Sequence, residues 1–420
     1  MYNLFGRDFR ADPYPIYAAL RTENPVYRRA TSSEQRNATC FITGYNEGVA
    51  ILRDSAHFVK DYRNALTDEE KVLLPQEPPL VRLLSRHMLN SDPPEHTRLR
   101  ALVNKAFSVR MIDQLEERIQ IVANQLIEQA LRKHGSVEYT TRQGEFDVIE
   151  EFAFPLPIIV IADLLGIPTR DRNRFRAWSH AIVQPSANSQ RNEKKELKSR
   201  QLMNDFVAYL RQILADRKKT PRDDLITSLL QAEEAGDVLS EDEIFSTILL
   251  LVVVGHETSA NLIGNSLLTL LKHPSILQQL QEQPGLIPTA LEELIRYDGP
   301  VERAPMRFAA EDIEISGTQI KRGDAISVVL AAANRDPAQF DCPDQLNILR
   351  QNNKHIGFGL GIHYCLGAPL ARAEGRIALE TLLSRFDTLA LTIPIQSLRW
   401  HTNPIMRGLH RLPIRFTTKV

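Results

Sequence analysis

Apolar positions recur three and four residues apart over 15–22, 109–134, 194–217, 241–271 and 288–297, and this spacing predicts helices there. Strand-like pieces are short: 26–28, 40–43, 313–315 and 325–330. The second and last of these carry apolar or β-branched residues suited to a pleated surface. Three stretches show no clean period and read as loops: 61–90 with Pro75, Pro78 and Pro79, the polar 184–192, and 333–358. A long irregular segment inside a compact protein usually carries or covers a function. The expected fold class is mainly α with small β-sheets. No repeat, low-complexity tract or linker divides the chain, so 1–420 is expected to form a single domain.

Composition narrows the picture. With 43% hydrophobic and 25% charged residues the chain is ordinary for a globular protein. A net charge of -1 argues against nucleic acid as a partner. The N-terminus lacks an apolar signal core or membrane anchor, so a cytoplasmic location is expected. The most apolar run, 244–254, is shorter than the roughly 20 residues that cross a bilayer and reads as a buried core helix. The three cysteines, Cys40, Cys342 and Cys365, are too few and scattered for a disulfide framework or a zinc cluster.

The strongest local signal is Phe358-Gly359-Leu360-Gly361-Ile362-His363-Tyr364-Cys365-Leu366-Gly367. Its glycines let the backbone turn tightly and approach a flat object closely. The following run from Ala368, with Pro369 near its start, reads as a helix, so amide N–H groups can stabilise a Cys365 thiolate. Such a thiolate is a soft ligand for iron, and its electron donation favours O–O cleavage when the iron belongs to a haem. A lone cysteine is more often simply buried, but the ten-residue context resembles the haem-binding signature of the cytochrome P-450 family, Phe-x-x-Gly-x-His/Arg-x-Cys-x-Gly, at every defining position. The resemblance implies the P-450 fold, a triangular prism of helices with haem b between a long central helix and the cysteine loop. It makes Cys365 the axial iron ligand and His363 a propionate contact.

Further segments extend the resemblance in family order. Within the long apolar helix, Val254-Gly255-His256-Glu257-Thr258-Ser259 is polar where a packed helix is expected to be apolar. Thr258 can bond back to the carbonyl one turn earlier and open the helix, and an acid beside an alcohol can relay protons. The segment is similar to the family's Ala/Gly-Gly-x-Asp/Glu-Thr-Thr/Ser, which implies catalytic roles for Glu257 and Thr258. Val254 departs from that pattern, adds bulk, and predicts a tighter pocket.

Glu293 and Arg296 lie three apart on one helix face and resemble the family's buried Glu-x-x-Arg, which implies scaffold. Relatives add an arginine from a Pro-x-Arg-Phe-like segment. Here Pro343-Asp344-Gln345-Leu346-Asn347 has none, leaving Arg350 or His355 as candidates for the third partner. Asp92-Pro93-Pro94-Glu95-His96-Thr97-Arg98-Leu99-Arg100 has the marks of a capped helix start, with Asp92 as cap and Glu95 at capping-box spacing. His96 and Arg100, four apart, project together. This segment resembles Asp-Pro-Pro-x-His-x-x-x-Arg, whose His and Arg bind haem propionates, and Arg307 resembles a further propionate arginine. The match also includes Ala333-Asn334-Arg335-Asp336-Pro337.

The resemblance is to soluble bacterial members acting on polyketide, macrolide or fatty-acyl substrates in secondary metabolism. It implies a monomeric monooxygenase that hydroxylates or epoxidises a small to medium apolar substrate. Two electrons would come from a ferredoxin or flavodoxin with its reductase, since no flavin or nicotinamide domain follows the cysteine loop. Lys105, Arg110 and Lys354 are candidates for the docking face. By analogy Leu250, Val253, Val254, Val301, Ala304 and Met406 line the substrate pocket, together with parts of 61–90 and 162–178. Glu302 and Arg303 either face that pocket or point to solvent. A peroxygenase using hydrogen peroxide is the rival enzyme, which the retained Glu257-Thr258 disfavours. A haem-binding carrier or sensor without turnover is the rival outside enzymes.

Overall fold

A computed structural model describes the chain except for residues 1, 5, 31–37, 78–82, 84, 108, 139–140, 173, 176, 179–192, 235 and 420. The expected loop 184–192 therefore lies outside the described residues. The predicted helices form with ends shifted by a residue or two: Tyr14–Glu23, Val109–His134, Glu193–Lys219, Glu241–Lys272 and Ile287–Asp298. Helix Glu241–Lys272, the central helix, begins in a reciprocal capping box between Ser240 and Glu243. By length and composition it is apolar enough to cross a membrane, yet 61% of its most apolar window is buried inside the protein. It is a core helix. It packs on Pro155–Leu164, Ile287–Asp298 and Ala368–Arg385. Gly255 is explained by the first of these contacts, since a Cβ there would stand 2.9 Å from Ile161 Cδ1.

Around this helix, Ile161, Leu249, Val252 and Ile263 belong to the largest apolar cluster. Each such side chain, fully buried, contributes roughly 1.5–3 kcal/mol. A second cluster, with Cys40, Ile42, Ile326 and Val328, lies on a five-stranded sheet. Its strands run in the spatial order Val26–Ala30, Ala38–Ile42, Ala325–Val328, Arg307–Ala309 and Phe58–Val59. Three of the four predicted strand pieces fall here, although the last ends at Val328 and gives way to a short helix, Leu330–Ala333. The fourth, Ile313–Ile315, pairs with Thr318–Ile320 as a hairpin.

The segment 334–360 is irregular as expected but firmly tied. Asn334 Oδ1 accepts the Ile356 N–H at 2.8 Å, and the Tyr45 hydroxyl donates to the Lys354 carbonyl at 2.6 Å. Arg296 donates to the carbonyls of Asn334 and Pro343, both at 2.8 Å. Side chains thus replace the ladder that this backbone lacks. Within 61–90 the helix Asp68–Val72 forms on a Thr67–Glu70 capping box. The capping expected of Asp92 does not occur. Pro94 occupies the cap of helix Glu95–Ala106 without a side-chain bond. The Asp92 carboxylate instead accepts the N–H groups of Lys60 and Asp61 at 2.7 and 3.0 Å, and Glu95 pairs with Arg98.

Candidate active site

The cysteine loop closes on itself where the Cys365 N–H donates to the Phe358 carbonyl at 3.0 Å. Gly361 has φ +70°, and a Cβ there would lie 2.5 Å from the Leu52 carbonyl oxygen, so the turn requires glycine on both counts. Gly367 is different: its φ is -82° and a Cβ would meet no protein atom within 4 Å. Neither backbone nor protein packing calls for glycine there, which fits a cradle for a flat group. Burial pushes the Cys365 thiol up, while the N–H groups of Gly367 and Ala368 and the cations Arg100 and Arg372 oppose that rise. A bound metal cation would complete the shift to thiolate. Arg372 is fixed for this by Glu292, at 2.7 and 2.9 Å, and lies 4.4 Å over the Phe358 ring.

Beside the loop, basic side chains gather around a single carboxylate among the described residues, Asp92. His96 and His363 meet edge to face with centroids 4.3 Å apart. Both ring nitrogens of His96 and Nε2 of His363 are buried with no hydrogen-bond partner among the described residues. Arg307 is buried and, among the described residues, its side chain donates only to the Leu52 carbonyl, at 3.5 Å; burial lowers it to about 10. Arg100 is lowered by burial too and feels Cys365. Lys60, which the sequence reading missed, is buried in the same group, donates to the Met306 carbonyl, and is lowered to about 7 by burial and by Arg307. Burial, His96, Arg307, Lys60 and Arg100 together hold His363 down to about 2.

Among the described residues the one carboxylate interacting with several of these groups is Asp92, whose oxygens are already engaged by two backbone N–H groups and, at 2.8 Å, by Asn64. Buried cations without counter-charge are costly. Two carboxylates entering among Lys60, His96, Arg100, Arg307 and His363 would relieve that cost, and the propionates of haem b have that chemistry. The residues present fit the group.

On the central helix the Thr258 hydroxyl donates to the Val254 carbonyl at 2.7 Å, the expected back-bond. The expected opening does not follow, for the helix runs unbroken from Glu241 to Lys272. Burial pushes Glu257 up to about 7, and its Oε2 has no partner among the described residues. Ser259 meets the buried Glu374 of helix Ala368–Arg385, which ties the central helix to the helix that follows Cys365. Leu250 and Val253 are half-buried against the main cluster, and Val254 is half-buried too. Val301 forms an isolated antiparallel bridge with Met406, and Ala304 is buried nearby in sequence. Glu302 and Arg303 face neither pocket nor solvent. They are 0% and 4% exposed, and Glu302 takes Arg10, Arg303 and the Tyr17 hydroxyl as partners. The reason is charge: each satisfies the other in the interior.

Glu293 and Arg296 are fully buried and bidentate, with both contacts at 2.8 Å. Arg350 is the third partner, its Nε 3.1 Å from Glu293 Oε2. His355 pairs with Glu292 instead, at 3.0 Å. Of the expected docking residues, Lys105 is engaged by Glu234, Lys354 is exposed, and the Arg110 side chain lies outside the described residues. A cleft of about 500 Å³ bordered by Arg170, Asp171, Tyr209 and Arg217 contains none of the site residues.

The profile of the cytochrome P450 family matches residues 56–284 and 285–406. The chain is 40% identical to the polyketide biosynthesis cytochrome P450 PksS of Bacillus subtilis, over 99% of this chain and 98% of that protein. The solved PksS structure superposes with a TM-score of 0.87, covering 99% of both chains at 38% identity. Identity to the cytochrome P450 monooxygenase PikC of Streptomyces venezuelae is 39%, over 98% of this chain and 92% of PikC. P450BioI, solved with a hexadec-9Z-enoic acid-ligated acyl carrier protein, superposes with a TM-score of 0.83 at 35% identity, covering 98% of this chain and 99% of that one. The chain belongs to the cytochrome P450 family and is a haem b monooxygenase.

Proposed function

We propose that this protein hydroxylates or epoxidises an elongated apolar substrate of the polyketide or fatty-acyl class, with dioxygen and two electrons from a separate ferredoxin or flavodoxin. The observation that carries the reading is the pairing, within one chain, of a thiol flanked by helix-start N–H groups and an acid–alcohol pair on the central helix. Haem b, bound through Cys365, supplies the redox chemistry of oxygen insertion into a C–H bond. Lys60, His96, Arg100, Arg307 and His363 hold its carboxylates by charge-assisted hydrogen bonds.

Glu257, raised to about 7 by burial, would supply a proton, and the Thr258 hydroxyl, whose one proton goes to the Val254 carbonyl, would accept a hydrogen bond at its oxygen and so hold the proton path in place. A positioned acid of this kind contributes roughly 10²–10⁴-fold. Leu250, Val253, Val254, Val301, Ala304 and Met406 give the site an apolar wall that excludes water. PksS by its name serves polyketide biosynthesis, and P450BioI was solved with a fatty-acyl carrier protein; both support a long, mostly apolar substrate. The reading takes the whole chain as one domain and one monomer.

The test is turnover of tetradecanoic acid with dioxygen and a surrogate ferredoxin and reductase. Oxygenated product is expected, and Thr258→Ala should divert most of the electrons into peroxide or water. Product with hydrogen peroxide alone, and none with dioxygen and the electron donor, would overturn the reading in favour of a peroxygenase.

A further inference from the structure

The turn 402–408 is held from two sides by polar groups that the reaction does not use. From the N-terminal side, Arg10 in the helix Arg7–Ala11 donates to the carbonyls of Asn403 and Thr402 at 2.9 and 3.4 Å, and pairs with Glu302 at 3.3 Å. Arg407, in the turn itself, returns the contact by donating to the Arg10 carbonyl at 2.7 Å. Its Nε lies 2.6 Å from Asp298, and its guanidinium stacks 3.7 Å from the Trp400 ring. Asp298 also accepts from the Tyr14 hydroxyl at 2.6 Å.

From the interior, Asn265 of the central helix donates to the carbonyls of Arg407 and Asp298 at 2.9 and 3.3 Å. Gly408 packs so closely on Asn261 that a Cβ there would lie 1.9 Å from Oδ1. Asn261 and Asn265 follow Thr258 on the same helix. Between these two anchors the turn lays its backbone on 300–303. The Glu302 and Arg303 N–H groups donate to the Ile405 carbonyl at 2.8 and 3.2 Å, the Arg407 N–H donates to Pro300 at 2.8 Å, and Met406 faces Val301.

We infer that Arg10 and Arg407 are positioning residues for substrate specificity: they lock the Ile405–Met406 turn against Val301, so the N-terminal helix sets the shape of the pocket wall that an elongated apolar chain meets. This rests on the assignment of Val301 and Met406 to that wall. Arg10 is about 400 positions from the turn in sequence, but its fork spans two turn carbonyls and a carboxylate at once. Lysine, a compact point charge without the planar fork, does not reproduce that geometry. Glu302 serves both Arg10 and Arg303, and Asp298 serves Arg407, so a neutral residue in place of Arg10 still leaves Glu302 paired with Arg303 inside.

The test compares four proteins as holoenzymes. They are Met406→Ala, Arg10→Lys, Arg10→Met, and a control, Arg28→Met with Asp324→Asn, which removes an ion pair at the five-stranded sheet instead. Each is titrated with tetradecanoic acid by the haem absorption shift, and the positions of oxidation along the chain are measured. The clamp variants are expected to weaken binding about fivefold or more and to spread oxidation over more carbons. The carbon-monoxide spectrum should stay normal, and the control should match the parent protein. If Arg10→Met falls short of folding, Arg10→Lys carries the same readout. Unchanged binding and product positions in Arg10→Lys and Arg10→Met, alongside a shift in Met406→Ala, would overturn the inference alone. Equal shifts in clamp and control would overturn it as general loosening. No effect of Met406→Ala would instead remove the pocket assignment beneath it.

Discussion

Two groups of buried charge flank the cysteine loop, and the protein treats them in opposite ways. Around Glu293 every charge is answered from within. Its oxygens accept from Arg296, Arg350, the Asn347 N–H and Asn353, while Arg296 also reaches the carbonyls of Asn334 and Pro343. Around His363 the reverse holds. Lys60, His96 and Arg307 share one carboxylate, Asp92, that is already taken by N–H donors, and buried ring nitrogens stand without partners among the described residues. A closed network is a scaffold that fixes backbone, here the irregular 334–360 segment. An open one is a binding site whose counter-charge arrives with the cofactor.

Breaking one side of the closed network gives the largest expected effect. Glu293→Ala leaves Arg296 and Arg350 without their carboxylate and should cost about 3–5 kcal/mol, read as a fall in thermal unfolding temperature and in folded yield. A loss below about 1 kcal/mol would mean the network is not closed. In the open cluster the sign divides. Arg307→Met should weaken haem retention about 10- to 100-fold, the value of a charged hydrogen bond of about 1.5–3 kcal/mol. The haem-free chain should be no less stable than its parent, because an uncompensated cation has been removed. Transfer of haem to a scavenger protein and melting of both forms check this. Equal destabilisation of the two forms would erase the contrast.

Glu257 sharpens the comparison with a buried acid that also lacks a counter-charge. Burial raises it from an ordinary 4.5 to about 7, so between those values the folded protein holds a proton that the unfolded chain releases. Stability therefore falls as pH rises through that window. Turnover that needs the protonated acid should likewise decline above about pH 7, and Glu257→Gln should flatten both profiles. The smallest effect is expected at Val254, where Val254→Ala removes two methyl groups and should change tetradecanoic acid affinity by about 1–2 kcal/mol and shift the product position. Binding and product unchanged would show that Val254 does not crowd the pocket.

Much of the helical framework was legible because a 3.6-residue repeat is a local property. Val109–His134 was bounded from sequence alone, and the central helix to within one residue. The four-stranded sheet was not. Its strand Thr141–Asp147 reads TRQGEFD, with no strand signal, and exists because Pro413–Lys419 pairs with it from about 270 residues away. At the site, motifs brought His96, Arg100, Arg307, His363 and Cys365 into view. Lys60 escaped notice because a lysine is ordinarily exposed, and nothing beside Phe58-Val59 marks this one as buried. Arg350 could be named only as one of two candidates, since its contact with Glu293 depends on the path of an irregular loop. The Asp92 cap failed because tertiary donors from 60–64 outcompeted the local helix for the carboxylate.

The central claim is a bond between the Cys365 sulfur and haem iron. The direct measurement is the absorption spectrum of the reduced protein under carbon monoxide, recorded for the parent and for Cys365→Ala. The red-shifted band of sulfur-ligated haem is expected in the parent, and its loss in the variant. An unshifted band in the parent, or the same red-shifted band in both proteins, would contradict it.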